Sequence, residues 1–307
     1  MKVAALDLGS NTFLCLTAEV SQMGITKVYS DDVEIVRLGQ ELDRTGKFHP
    51  DALARADVCL KKFSRIIEAQ KPEKILAMAT AAARDAENKE ELFKVCEKYR
   101  IPVDIIAGGA EAGITYLGAI SGLSELDKNR LVIDIGGRST EFIFGRATNL
   151  LASESYNIGC VKLTEKFITS QPTSDSEIQN VTLYIDEHIQ KAKALLPAYF
   201  KLDEIVAVAG TPTSLAAAEI GVFDASRVDG FKLSKESLTK WLARLSSASV
   251  EKKIEMGIPA GRADVILIGV ITLLRTLEVF GAERIVVSTR GVRYGVALEI
   301  YRRSFLQ

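Results

Sequence analysis

The sequence predicts an α/β chain of two similar lobes, on three observations. Two short stretches share one pattern, in which an apolar strand ends in aspartate, a glycine turn follows, small hydroxyl residues come next and a second strand begins. The first is Asp7-Leu8-Gly9-Ser10-Asn11-Thr12 after Val3 to Leu6, and the second is Asp134-Ile135-Gly136-Gly137-Arg138-Ser139-Thr140-Glu141 after Leu131 to Ile133. After each stretch, strands and amphipathic helices alternate, the mark of a mixed sheet with helices on it. The chain's 307 residues are enough for two domains.

The elements follow in order. Val3–Leu8, Phe13–Val20 and Ile25–Arg37 read as a three-strand meander with turns at Leu8–Asn11 and Met23-Gly24. His49-Pro50-Asp51 opens a helix to about Gln70, with an apolar face through Leu53, Val58, Phe63, Ile66 and Ile67. Lys74–Ala79 is a buried strand. Asn88 caps a helix to about Tyr99 with Glu90 and Glu91 in its first turn. Pro102–Ile106 is a strand and Ala110–Ser121 a helix.

Asp127-Lys128-Asn129 starts the second half, where Arg130–Asp134, Ser139–Arg146 and Leu150–Tyr156 repeat the meander. Helices follow at Cys160–Phe167, Asp175–Leu195, Thr213–Ile220, Lys235–Leu245 and Arg262–Phe280, with strands at Glu204–Ala209 and Arg284–Ser288. A helix from Val292 to about Phe305 closes the chain. The lobes are therefore expected at 1–124 and 125–307, with the paired loops facing a cleft between them.

Composition bounds the function. The chain is 47% hydrophobic and 26% charged, with a net charge of −1, as expected of a globular protein with a real core. That balance gives no reason to expect nucleic acid or an anionic membrane as partner. Cys15, Cys59, Cys96 and Cys160 are far apart, so they form no zinc or redox motif, and they fit reduced thiols in a cytoplasmic protein. The start at Met1-Lys2-Val3 shows no signal peptide, and Val265–Leu274 is too short for a bilayer span and reads as a buried helix. His49 and His188 lack companions for a metal site or a triad.

The repeated loops carry the chemistry. An aspartate at a strand end can hold a hydrated divalent cation, and the turn after it can aim several N–H groups at one phosphate. Either loop alone would pass for an ordinary turn. As a repeated pair, with a small hydroxyl set in both copies, Gly9, Ser10, Asn11, Gly136, Gly137, Ser139 and Thr140 read as phosphate donors. Arg84 follows the small residues Ala79 to Ala83, which suits a cation projecting into a cleft to clamp phosphate. A surface ion pair with Asp85 or Glu87 is its plain alternative. Gly210, Thr211 and Thr213 resemble a third glycine loop for phosphate, for which a helix cap by Thr211 before Pro212 is the plain reading.

Eight blocks, taken in order, resemble the exopolyphosphatase/guanosine pentaphosphate phosphohydrolase (Ppx/GppA) family of the actin-like ATPase superfamily. They are Asp7–Asn11, Ala79–Asn88, Ile105–Ala112, Asp134–Glu141, Asn157–Leu163, Ala209–Thr213, Pro259–Asp264 and Arg290–Gly295. The chain stops where the short members of the family stop. The resemblance implies two ribonuclease H-like (actin-like) lobes with an interdomain cleft, the terminal helix of about 292–305 returning to the first lobe. It implies hydrolysis of a terminal phosphoanhydride, with Asp7 and Asp134 holding Mg²⁺ through waters, Glu111 as general base and Glu141 orienting the water.

Polyphosphate or guanosine penta- or tetraphosphate would be the substrate, with a homodimer as an open option for the assembly. The departures are Arg138 at a position that is usually glycine, Gly108-Gly109 for Ser-Gly, Gly113 for an arginine and Tyr294 for a glutamate. If Arg138 needed positive φ it would strain the loop; otherwise its guanidinium would add a phosphate donor. The departures motivate a second reading, a catalytically weak sensor that binds (p)ppGpp or a nucleotide. A sugar kinase or ATPase is a third.

Overall fold

A computed structural model describes residues 1–197 and 200–305. It divides into two compact units: Met1–Ser121 with the segment from Arg290 onward, and Gly122–Thr289. In unit 1, β1 (Lys2–Leu8), β2 (Thr12–Ser21) and β3 (Gly24–Ile35) form an antiparallel meander. The helix Pro50–Gln70 returns the chain, so β4 (Lys74–Ala79) runs parallel to β1, and β5 (Val103–Ile105) runs parallel to β4. The sheet order is β3-β2-β1-β4-β5.

Unit 2 repeats this plan. β6 (Asn129–Ile135), β7 (Thr140–Arg146) and β8 (Asn149–Tyr156) are the meander, and β9 (Glu204–Val208) lies parallel to β6. β10 (Lys232–Ser234) pairs antiparallel with β11 (Arg284–Val287), itself parallel to β9. The order β10-β11-β9-β6-β7-β8 contains the unit-1 order, read from the other end, plus one edge strand. The α/β class and the twofold repetition of the sheet are therefore as the sequence predicts.

Period-2 alternation sorts each β1 residue to one of two cores. Ala4, Leu6 and Leu8 pack with Leu60, Phe63 and Ile67 of the helix Pro50–Gln70. Val3 and Ala5 pack on the other face with Val292, Val296 and Ala297 of the terminal helix Val292–Phe305. In unit 2, Leu131, Ile133, Phe142 and Phe144 bury against helices that include Asp175–Lys193 and Ile266–Phe280. Among the described residues no helix is long and apolar enough to cross a membrane. All four cysteines are buried free thiols, and burial pushes Cys15, Cys59 and Cys96 up to about 12 and Cys160 up to about 11.

Some local expectations differ. Val58 is 70% exposed, because the buried stripe of its helix runs through Ala52, Ala56, Cys59, Leu60, Phe63 and Ile67. Asn88 makes no side-chain cap bond; its amide accepts from the Phe48 N–H and donates to the Phe48 carbonyl. The long apolar helix begins at Ile266, not Arg262. The helix after β9 starts at Gly210, so Thr211 is not its cap. Ala209 takes that place at φ 71° and ψ −164°, a conformation few non-glycine residues adopt.

Candidate functional site

In an open α/β sheet, ligands gather at the carboxyl ends of the parallel strands. In unit 1 those ends deliver the predicted residues. Asp7, next to the last residue of β1, is in register with Met78 of β4. β4 runs through Thr80 into the short helix Ala81–Asp85, which carries Arg84. β5 leads to the helix Gly108–Ile120, with Glu111 in its first turn.

The first loop closes tightly. The Gly9 N–H donates to the Thr12 carbonyl at 3.1 Å, and the loop carbonyls of Ser10 and Asn11 accept from Gly39, Val36 and Arg37. Glu111 is buried, and Arg84 Nη1 donates to its Oε2 at 2.6 Å and to the Ile106 carbonyl at 2.8 Å. The cation therefore reaches the expected base directly.

The second loop is built alike. The Gly136 N–H donates to the Ser139 carbonyl at 3.0 Å. A Cβ on Gly9 would lie 2.9 Å from the Thr12 oxygen, and one on Gly136 would lie 3.0 Å from the Ser139 oxygen, so both turns need glycine for the same close approach. The Gly136 carbonyl accepts from Cys160, and the Gly137 carbonyl from Val161 and Lys162. These donors are the first amides of the helix Cys160–Phe167, so this helix start is capped by the loop itself.

Across the β6–β7 hairpin Asp134 stands directly opposite Glu141, and Glu141 opposite Ser155 of β8. Directly opposed residues share a face, which puts two carboxylates side by side. The Ser155 hydroxyl donates to Glu141 Oε1 at 2.6 Å. Ser155 was not expected; its register depends on an irregularity between Phe144 and Gly145 that residue patterns do not mark.

Two hydroxyls need correction. Thr140 is fully buried and its hydroxyl donates to the Ile158 carbonyl at 3.0 Å, so it braces the loop from behind. The Thr211 side chain is buried as well, 3.7 Å from Cys160 Sγ and against Gly269; it belongs to the unit-2 core. Arg138 is buried but is not among the residues with positive φ, so of its two alternatives the strained loop does not arise.

At the third loop, Gly210 is covered by Arg262: an added Cβ would fall 0.9 Å from its Nη1. Among the described residues no three His, Cys, Asp or Glu side chains group to hold a metal ion. Strand-end carboxylates such as Asp7 and Asp134 suit a cation that keeps most of its waters, as Mg²⁺ does.

Known proteins resemble this chain over nearly its whole length. A crystal structure of the Aquifex aeolicus member of the Ppx/GppA protein family superposes with a TM-score of 0.83 at 29% identity, covering 99% of each chain. Exopolyphosphatase 2 of Mycobacterium tuberculosis is 31% identical over 97% of this chain and 98% of its own length. The guanosine-5'-triphosphate,3'-diphosphate pyrophosphatase of Vibrio cholerae is 29% identical over 97% of this chain and 59% of its own. The model of the Ppx/GppA phosphatase family matches residues 17–304, and the chain belongs to that family.

Proposed function

We propose that the chain hydrolyses the terminal phosphoanhydride bond of inorganic polyphosphate or of pppGpp in the cytoplasm, with Glu111 as general base. The observation that carries this reading is the buried Glu111 carboxylate held by Arg84 at 2.6 Å at the carboxyl end of a parallel strand. Names borne by relatives of both kinds, an exopolyphosphatase and a guanosine pentaphosphate pyrophosphatase, supply the two substrates. Glu111 takes a proton from water, the water oxygen bonds to the terminal phosphorus, and the bridging P–O bond breaks toward the shortened chain. In unit 2, Glu141 is oriented by the Ser155 hydroxyl and is the second acidic residue of this reading, with orientation of a water as its role.

Gly9, Ser10, Asn11, Gly136, Gly137 and Ser139 offer donors to phosphate oxygens. Asp7 in unit 1 and Asp134 in unit 2 would each offer a carboxylate to Mg²⁺, which would supply charge neutralisation.

Phosphate release from polyphosphate and from pppGpp, measured with Mg²⁺ and after chelation, tests this. Steady release on at least one substrate, lost on chelation, is expected. Tight calorimetric binding of pppGpp with no release from either substrate would replace hydrolysis by a sensor role, and ATP-dependent phosphorylation of a small acceptor would replace it by a kinase.

A further inference from the structure

The terminal helix Val292–Phe305 places a charged network on the sheet face that carries Asp7. Strand register defines that face. Ala5 and Asp7 are two apart on β1 and point to one side. Leu16 stands opposite Ala5, and Asp31 of β3 stands opposite Leu16, so Asp31 is on that side too. The same side buries Val3, Ala5 and Leu16 against the terminal helix.

Arg293, 7% exposed, enters from the first turn of that helix. Its Nε and Nη2 donate to the two oxygens of Asp31 at 2.5 and 2.7 Å. The Tyr294 hydroxyl donates to Asp31 Oδ2 at 3.0 Å. Asp7 is within electrostatic reach of the same guanidinium.

Asp31 holds the guanidinium in a two-bond fork whose geometry only arginine matches, on the face where Asp7 also lies. We infer that Asp31, with Tyr294, is a positioning residue for Asp7: by fixing Arg293 it limits how strongly that cation competes for the Asp7 carboxylate, and so sets the affinity of Asp7 for a divalent metal. This rests on the reading of Asp7 as a metal carboxylate. Asparagine at position 31 keeps the shape and an acceptor for Tyr294 but gives up the charge, and Arg293 then turns toward Asp7. The Tyr294 hydroxyl completes the hold on Asp31.

The test titrates the full chain with Mn²⁺ in inorganic phosphate and reads free Mn²⁺ by electron paramagnetic resonance, with thermal melting as a check on folding. Asp31→Asn is expected to weaken Mn²⁺ binding roughly tenfold. The double variant Asp31→Asn/Arg293→Met, which removes fork and competitor together, is expected back within about twofold of the wild type.

Wild-type affinity in Asp31→Asn, or a double variant as weak as the single one, overturns the inference. Should Asp31→Asn fail to fold, Arg293→Lys decides: it keeps the charge and loses the fork, so binding severalfold weaker supports the inference and unchanged binding overturns it. A wild type that binds no Mn²⁺ removes the metal reading of Asp7 instead, and the inference with it.

Discussion

Arg84 and Glu111 are 27 residues apart, yet they form an ion pair at 2.6 Å. Their side chains are 25% and 10% exposed, so the pair is shielded enough to matter. Arg84→Met should lower kcat/KM by roughly 10²-fold and stability by about 1 to 2 kcal/mol, since it leaves a carboxylate short of its charge partner. Steady-state kinetics beside urea unfolding would check this; unchanged turnover would make the pair structural only. Both residues were legible as candidates from their blocks, but their pairing was not, because it depends on the way β4 and β5 end side by side. Arg293 and Asp31, 262 residues apart, lay beyond sequence reading for the same reason. Thr140 was misjudged because a hydroxyl beside a loop can serve either face of it, and only the strand register tells which.

The helix that carries Glu111 is fixed by glycine contacts at the level of whole elements. A Cβ on Gly118 would lie 2.3 Å from the Gly291 oxygen, and one on Gly295 would lie 1.9 Å from the Ile114 oxygen. Helices Gly108–Ile120 and Val292–Phe305 thus meet backbone to backbone. Gly118→Ala should destabilise by about 1 to 3 kcal/mol and should also reduce kcat, because pushing the helices apart moves Glu111. Loss of stability with kcat unchanged would disconnect the crossing from the site. Long elements were legible because period and caps accumulate over many residues; β10 and the short helices Leu42–Thr45, Ala225–Val228 and Val250–Glu255 are too brief for either signal.

In unit 2, Lys253 is fully buried and its Nζ donates to Gln171 Oε1 at 2.5 Å, while Gln171 Nε2 donates to the Asp264 carbonyl at 2.7 Å. Burial lowers the Lys253 ammonium from 10.5 to about 8. The unfolded chain holds that proton more tightly, so stability should rise as pH climbs from about 8 to about 10.5, and it is lost again as pH falls back through 8. Lys253→Met should flatten this rise in urea midpoints relative to the wild type; an identical pH slope in both proteins would contradict the assignment.

For the whole molecule, the repeat was legible because each unit announces itself with an aspartate at a strand end and a glycine that no side chain can replace. The extra edge strand of unit 2 and the carbonyl caps that Gly136 and Gly137 give to the helix Cys160–Phe167 were not legible, since both depend on contacts across the fold. The two sheets explain why chemistry-bearing residues recur at equivalent strand ends, and the family membership explains which chemistry to look for. The proposed hydrolysis depends most directly on Glu111. Phosphate release from polyphosphate and pppGpp, compared between the wild type and Glu111→Ala at saturating substrate and Mg²⁺, should fall by roughly 10²- to 10⁴-fold in the variant while substrate binding by calorimetry is retained. Equal rates in the two proteins would contradict the account.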